Sequence, residues 1–216
     1  MTAEEPIVFI VDDDHRIREA LCELLMSLGL RALGFGSAAE YIAFPRPKQP
    51  ACLVLDVKLP DINGLEFQEQ IADEDHPPIV FITGHGDIPS SVRAMKRGAV
   101  DFLAKPFSES ELMEAINAAV SRDRVSRLER ARLAKLRQHF SDLTPREREV
   151  LPLVASGLLN KQAATELGIS EVTLQIHRGR IMQKMGATSL ADLVRIAEKL
   201  EIPITHSRRH AGIVSK

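Results

Sequence analysis

Short apolar runs alternate with amphipathic stretches through the first half of the chain. The runs predict five β-strands, at Ile7–Val11, Arg31–Phe35, Cys52–Asp56, Ile79–Thr83 and Asp101–Ala104. Between the runs, apolar residues recur at the three- and four-residue spacing of amphipathic helices. Five strands alternating with five helices predict an open, doubly wound parallel sheet of flavodoxin-like type over residues 1–120.

Capping residues predict where several of these helices begin and end. Ser37 has the character of an N-cap, and Ser108 with Glu111 three residues later forms a capping-box pattern. Two other helices are predicted from about Gly64 to Asp75 and from about Pro89 to Gly98. Each predicted helix therefore returns the chain to the start of the next strand.

Residues 141–206 have helical periodicity throughout and predict a small all-α domain. Predicted N-caps are Thr144, Asn160 and Ser170, and predicted stops are Gly157, Gly168, Gly186 and Pro203. A short helix, a turn containing glycine and a longer basic helix are typical of helix-turn-helix. The last stretch, residues 207–216, has no periodicity and is expected to be a mobile tail.

Residues 121–140 predict a long, basic helical linker between these two domains. This stretch contains seven Arg and Lys residues but only two acidic residues, Asp123 and Glu129. Apolar residues lie among them at imperfect heptad spacing. A solvated connector and a helix that pairs with a second subunit both fit this pattern.

Charge divides the chain in the same way as periodicity. Residues 1–120 carry 20 Asp and Glu against 10 Lys and Arg, a net charge of −10, whereas residues 121–216 carry 10 against 18, a net charge of +8. The basic half is expected to face a polyanion. With no membrane-length apolar run, no basic region before the first apolar run, and two cysteines without metal-ligand spacing, we expect a cytoplasmic protein that does not bind membranes.

Charged and hydroxyl side chains follow the predicted strands. Asp12, Asp13 and Asp14 follow the first strand, Asp56 ends the third, Thr83 ends the fourth and Lys105 follows the fifth. Because the carboxyl ends of parallel strands share one edge, these residues are expected to converge. The aspartates after the first strand are either a helix cap, which suits Asp14, or part of a site for Mg²⁺, or for Mn²⁺ in its place. A carboxylate nucleophile, a cation, a lysine and a hydroxyl together suit phosphoryl transfer.

Residues 1–120 resemble the receiver domain of two-component response regulators. The matching motifs are "DDD", "LVLDVKLPDINGLE", "FITGHGD" and "DFLAKPF". The resemblance implies that Asp56 is the phosphoacceptor, that Thr83 and Lys105 contact the phosphoryl group, and that Phe102 is a switch aromatic. It also implies a cis Lys105-Pro106 peptide. The implied metal ligands are Asp13 directly, Asp12 largely through water, Asp56, and the backbone carbonyl of Lys58.

Residues 141–206 resemble the LuxR-type output domain, and the whole chain resembles the FixJ-type transcriptional activators. The second half carries "LTPREREVL", "GLLNKQAATELGIS" and "HRGRIMQKMGATSLADLVR". The resemblance implies phosphorylation by a sensor histidine kinase, binding to double-stranded promoter DNA and contact with RNA polymerase. Phosphorylation is expected to pair two receivers into a homodimer, to unmask a basic half that the acidic half holds, or both. Slow loss of the phosphoryl group is the only turnover expected.

The helix after Ser170 is the predicted recognition helix. Leu174, Ile181 and Met185 are spaced to face the core, which leaves the other face for DNA. Gln175, Ile176 and an arginine suit base edges, whereas Lys161, Arg178, Arg180 and Lys184 suit phosphates. A solvated basic face is the alternative. Gly179 fits either close DNA approach or helix packing. The predicted DNA contacts are Lys161, Thr173, Gln175, Ile176, Arg178, Gly179, Arg180, Gln183 and Lys184.

Two other functions compete with the phosphorylated switch. Haloacid-dehalogenase-like phosphatases carry a second carboxylate two residues after the nucleophile, whereas Asp56 is followed by Val57 and Lys58. A DNA-binding protein whose first half only mediates constitutive pairing would be expected to lose Asp56, Lys105 or the acidic pair, and all of them are present.

Overall fold

The computed structural model describes residues 5–45, 48–72, 75–84 and 88–203. The chain divides into two compact units, residues 1–128 and 129–216. The first has two hydrophobic clusters and the second has one. Among the described residues, no helix is both long and apolar enough to span a bilayer.

The first unit contains a parallel sheet of five strands within its described residues. The strands are β1 (Ile7–Val11), β2 (Arg31–Phe35), β3 (Ala51–Asp56), β4 (Ile79–Thr83) and β5 (Asp101–Ala104). Their order is β2-β1-β3-β4-β5, and every neighbouring pair is parallel. This order is the flavodoxin-like one, so the predicted fold class is confirmed.

The central strands are continuous apolar runs because the sheet is covered on both faces. Phe9, Leu53 and Phe81 point into one hydrophobic cluster, while their neighbours Ile10 and Val54 point into the other. All five are fully buried. Burying such a side chain contributes about 1.5–3 kcal/mol each, which stabilises the strands whose ends carry the charged residues.

Helices cover both faces of this sheet. They are α1 (His15–Ser27), α2 (Ala38–Ala43), α3 (Gly64–Gln70), α4 (Ile88–Lys96) and α5 (Glu109–Ser141). The predicted caps at Ser37 and Ser108 are confirmed by their hydrogen bonds to residues 40 and 111. The prediction that α3 reaches Asp75 is wrong: the helix ends at Gln70, and the Ala72 N–H donates to the Glu69 carbonyl oxygen at 3.3 Å, three residues back, which closes the last turn.

A buried carboxylate fastens α5 to the opposite end of β3 from Asp56. Asp123 is 1 % exposed and accepts hydrogen bonds from the Ala51 backbone N–H at 2.8 Å and from Arg127 Nε at 2.6 Å. Arg127 also donates to the Lys48 carbonyl oxygen at 3.1 Å. Residues beyond the predicted boundary at 120 therefore pack as part of the first unit.

The described part of the second unit is helical. After the end of α5 come α6 (Pro145–Ala155), α7 (Asn160–Leu167), α8 (Glu171–Met185) and α9 (Leu190–Lys199). Val150, Leu174, Ile181 and Leu193 are fully buried at their common core. Thr144 and Glu147 form the predicted capping box. Left-handed glycines end α7 and α8 as predicted.

Two predicted boundaries in the second unit are wrong. Asn160 is the first residue of α7 and not its cap; the cap position belongs to Leu159, whose N–H donates to Gln162 Oε1 at 3.0 Å. The last helix ends at Lys199 and not near Pro203, because Glu201 adopts φ 53° and a bond from the Ile202 N–H to the Ala197 carbonyl oxygen closes the helix. The predicted tail, residues 207–216, lies outside the described residues.

Candidate functional site

One edge of the sheet collects the charged residues predicted from the strand ends. β1 and β3 are neighbours at the centre of the sheet, where the strand order reverses. Asp12 follows β1, Asp56 ends β3 and Thr83 ends β4. Lys105 follows β5, and its N–H donates to the Thr83 carbonyl oxygen at 2.7 Å. The predicted convergence of these four residues at one rim is thus present in the structure.

Three carboxylates form a compact cluster at this rim. Ligand oxygens of Asp12, Asp13 and Asp56 all lie within 4.8 Å of one another. Asp12 is fully buried and Asp56 is 7 % exposed, whereas Asp13 faces solvent. Buried carboxylates this close are costly unless positive charge compensates them. An all-oxygen donor set of this kind suits a hard divalent cation such as Mg²⁺.

The Lys105 ammonium supplies positive charge between the two buried carboxylates. Its Nζ donates to Asp12 Oδ2 at 2.6 Å and to Asp56 Oδ2 at 3.2 Å. Burial by itself lowers the pKa of Lys105, but the hydrogen bond and attraction to Asp12, followed by those to Asp56, hold the pKa above its ordinary value. Lys105 therefore stays charged at neutral pH.

The environment of Asp56 acts on its ionisation in two directions. Burial raises the pKa of the Asp56 carboxyl above its ordinary value, the Lys105 ammonium opposes that rise, and the Asp12 carboxylate adds to it. The Lys58 N–H also points to Asp56 Oδ1, at a long 3.4 Å. The carboxylate is thus only partly solvated and keeps an oxygen available for chemistry.

Local backbone structure holds the two aspartates in place. Asp12 Oδ1 accepts the Asp14 N–H at 2.9 Å, and Arg18 donates to the Asp12 carbonyl oxygen at 2.6 Å. Asp14 itself is the N-cap of α1, as predicted. Behind Asp56, α3 begins at Gly64 so closely that a Cβ there would collide with the Asp56 carbonyl oxygen.

Thr83 and Phe102 lie on adjacent strands beside this rim. Thr83 is 1 % exposed, and its register partner on β5 is Ala104. Phe102 is half-buried and packs against Phe81 with ring centroids 6.0 Å apart. The Lys105-Pro106 peptide is cis, which confirms that expectation.

The predicted DNA contacts differ in solvent exposure and in whether they already have hydrogen-bond partners within the protein. Six of them are exposed: Lys161, Gln175, Ile176, Gly179, Arg180 and Gln183. The other three are half-buried and already bonded. The Thr173 N–H donates to the Ser170 side chain at 3.0 Å, Arg178 Nη1 donates to Asn160 Oδ1 at 3.0 Å, and Lys184 Nζ donates to Glu147 Oε2 at 2.7 Å. A Cβ on Gly179 would meet no atom within 4 Å, so helix packing does not explain that glycine.

Two features were not predicted from the sequence. The Asp123–Arg127 pair resembles an ordinary i,i+4 surface pair, and only its packing on β3 shows that the carboxylate is buried. Gly64 follows an N-cap asparagine, Asn63, which was a usable signal for a helix start; the close approach to Asp56 depends on the folded turn.

Comparisons with known proteins agree with this geometry. Residues 8–117 match the response regulator receiver domain, and residues 141–197 match the bacterial regulatory proteins of the luxR family. The chain is 51 % identical to Nodulation protein W of Bradyrhizobium diazoefficiens over 204 residues, which cover 94 % of this chain and 90 % of the relative. It is 39 % identical to the transcriptional regulatory protein FixJ of Azorhizobium caulinodans over 191 residues, covering 88 % and 90 %.

Solved structures give the same assignment. The response regulator StyR matches with a TM-score of 0.76 and 50 % identity, over 90 % of this chain and 99 % of that one. Full-length FixJ from B. japonicum matches with a TM-score of 0.52 and 35 % identity, over 94 % and 100 %. The chain therefore belongs to the two-component response regulators, in which a receiver domain is joined to a LuxR-type DNA-binding domain that regulates transcription.

Proposed function

We propose that Asp56 is the phosphoacceptor of this regulator and that a sensor histidine kinase is its donor. The observation that carries the proposal is the Lys105 ammonium, which bridges Asp12 and Asp56 at the carboxyl ends of their strands. A nucleophilic carboxylate beside a fixed cation is the arrangement that in-line phosphoryl transfer requires. Burial keeps this pair away from most of the solvent.

In the transfer step, an Asp56 carboxylate oxygen attacks phosphorus and a P–O bond forms. The P–N bond to the donor histidine breaks at the same time, and the electron pair leaves with the imidazole nitrogen. As negative charge develops on the phosphoryl group, the Lys105 ammonium donates to one phosphoryl oxygen and the Thr83 hydroxyl donates to another. Because no carboxylate stands two residues after Asp56, loss of the phosphoryl group to water is expected to be slow.

Mg²⁺, or Mn²⁺ in its place, would be held by Asp12, Asp13, Asp56 and the Lys58 carbonyl oxygen. When bound, the ion supplies positive charge that stabilises the transferring phosphoryl group. Asp12 and Asp13 orient the site from the β1 side, and the turn from Lys58 to Asn63, closed by an antiparallel bridge, orients it from the β3 side.

Phosphorylation changes the surface from about residue 89 to Lys105. Thr83 moves toward the phosphoryl oxygens, and Phe102 turns inward on the adjacent strand. The altered face pairs two receivers, or releases a DNA-binding domain that the acidic receiver had masked. Two paired domains bind a two-fold promoter site with higher avidity and present it to RNA polymerase.

The proposed recognition helix is α8, and the proposed DNA contacts are eight of its residues together with Lys161 of α7. Gln175 and Ile176 lie near its N-terminal end, where such helices meet base edges. Lys161 and Arg180 are exposed cations that suit phosphates. The proposed interface is completed by Thr173, Arg178, Gly179, Gln183 and Lys184. Arg178 and Lys184 would contact DNA while bonded to, or after release from, Asn160 and Glu147.

The test is incubation of the full chain with Mg²⁺ and acetyl phosphate, followed by intact mass, light scattering and DNA binding. We expect one added phosphoryl group, a dimer, and tighter DNA binding. Asp56→Asn, which keeps shape but removes the nucleophile, should show none of these. Glu23→Gln, which neutralises an exposed carboxylate on α1, is the matched control.

The competing function is a DNA-binding regulator whose receiver only mediates constitutive pairing. It predicts DNA binding and dimerisation that are equal in the wild type and in Asp56→Asn, with or without phosphodonor. Phosphorylation without dimerisation would keep the proposed chemistry and favour unmasking as the output.

A further inference from the structure

The face of α8 that points away from the core begins with two apolar side chains. Leu174, Ile181 and Met185 are buried in the core of the second unit. Val172 lies two residues, or about 200°, from Leu174, so it projects on the opposite side of the helix. The positions that share this outward face follow at spacings of four, three and four: Val172, Ile176, Gly179 and Gln183.

Both apolar side chains on this face are open to solvent. Val172 is 69 % exposed and Ile176 is 51 % exposed, one helical turn apart. Single exposed apolar residues need no explanation, but two in register on the outermost face of a recognition helix form a surface that a ligand can cover. They occupy the first two turns of α8, the part that contacts base edges in helix-turn-helix proteins.

The surroundings of the pair indicate DNA as its partner. Lys161 and Arg180 are exposed cations on α7 and α8, and the half of the chain from residue 121 carries a net charge of +8. A Cβ added at Gly179 would meet no atom within 4 Å, so the duplex can approach the helix backbone one turn after Ile176. The outward face thus combines an apolar pair, an exposed arginine four residues after Ile176 and open space at Gly179.

The major groove offers one apolar group, the C5 methyl of thymine. Neither valine nor isoleucine can read the hydrogen-bonding edges of guanine, adenine or cytosine. The two side chains are separated by about 6 Å along the helix axis, and successive base pairs are about 3.4 Å apart. The pair can therefore reach methyl groups on neighbouring or next-neighbouring base pairs.

We infer that Val172 and Ile176 form one apolar reading edge for two nearby thymine methyls in each half-site, and that Val172 is a specificity-determining residue. The inference rests on the proposed use of α8 as the recognition helix. It adds what that helix selects: thymine at two positions, chosen by methyl contact and not by hydrogen bonds.

The test begins with the full chain, phosphorylated with acetyl phosphate, and a pool of randomised duplex DNA. Duplexes retained by the wild type define its site, and each thymine in that site is then replaced singly by deoxyuridine, which lacks only the methyl group. Fluorescence anisotropy measures the affinity for each duplex. Removing a contacted methyl is expected to weaken wild-type binding about fourfold, at two thymines per half-site.

Alanine variants identify which side chain contacts each thymine methyl group. Val172→Ala should bind the thymine and deoxyuridine duplexes equally at one position, and Ile176→Ala should do so at the other. Both residues are exposed, so thermal unfolding is expected to match the wild type. Lys161→Ala is the matched control: it should weaken binding to every duplex by a similar factor, reduce the salt dependence, and keep the deoxyuridine effect.

The outcomes separate this inference from the proposed function. If no duplex is enriched by the wild type, the proposed DNA-binding function fails, and the inference fails with it. If a site is enriched but no deoxyuridine replacement weakens binding, or if the effect persists in Val172→Ala, the reading edge is refuted and the proposed function stands.

Discussion

Replacing Asp123 with alanine removes the acceptor through which α5 is fastened to the start of β3. Asp123 accepts from the Ala51 N–H and from Arg127 Nε, and it is almost fully buried. Alanine is compatible with the helix, so the substitution removes contacts without opposing the local structure. We expect it to destabilise the first unit.

The fall in the free energy of unfolding can be estimated from the hydrogen bonds that the Ala51 N–H and Arg127 lose. Ala51 is fully buried, so its N–H has no access to water once the carboxylate is gone, at a cost of about 1–3 kcal/mol. The Arg127 side chain is 25 % exposed and can turn toward solvent, so its loss is smaller, about 1 kcal/mol. The free energy of unfolding should therefore fall by about 2–4 kcal/mol.

Tyrosine fluorescence can follow the first unit alone during urea unfolding of the full chain. The chain has no tryptophan and one tyrosine, Tyr41, which is 2 % exposed in the first unit. With a urea dependence of about 2 kcal/mol per M, the midpoint should move down by about 1–2 M. Arg124→Ala, next to Asp123 but exposed, is the control and should leave the midpoint unchanged.

A double-mutant cycle with Arg127→Ala separates the ion pair from the bond to Ala51. The double variant should lose less than the sum of the single losses, because the two side chains share one contact. If Asp123→Ala unfolds at the same urea concentration as Arg124→Ala, the buried carboxylate does not fasten α5 and the reasoning is wrong.

Two further predictions concern the two units separately. Gly64→Ala should slow acetyl-phosphate labelling of Asp56 by roughly tenfold, because the new Cβ would displace the Asp56 backbone; intact mass over time measures the rate, and Gly36→Ala, whose Cβ meets nothing closer than 3.5 Å, should label normally. Burial acts to raise the pKa of Glu147, but hydrogen bonds led by that from Lys184 hold it below its ordinary 4.5. The stabilisation is therefore present above about pH 4.5 and lost as pH falls through the folded pKa. Circular dichroism melts should show a smaller loss of stability on acidification in Glu147→Gln than in the wild type; equal losses would contradict this.

The sheet and its rim were predictable because burial on both faces leaves a continuous apolar run. Ile7–Val11 and Ile79–Thr83 have the same bounds in the sequence prediction and in the structure. Once the strands were placed, the parallel topology put Asp12, Asp56 and Lys105 at one edge without any further information.

The sequence did not determine where α3 ends or which charged side chains have partners inside the fold. Apolar residues continue through Ile71 and Ala72, so the sequence pattern did not mark the end of α3 at Gln70. Positive charge predicted DNA contacts at Arg178 and Lys184, and these stay predictions; the sequence did not show that each also has a partner within its own unit, Asn160 and Glu147. Charge in a sequence indicates the kind of partner a side chain needs, whereas the fold decides whether that partner is internal.

The Lys105 ammonium is a counter-ion for the buried carboxylates that is part of the chain itself. Because the lysine is part of the chain, its charge is always present at the two buried carboxylates, and their mutual repulsion is relieved at any concentration of dissolved metal. Many small metal-binding domains fold only when the ion is supplied, so their folding follows metal availability. We therefore expect this receiver to fold without the ion, so that a chelator stops the proposed phosphorylation of Asp56 while leaving the protein folded.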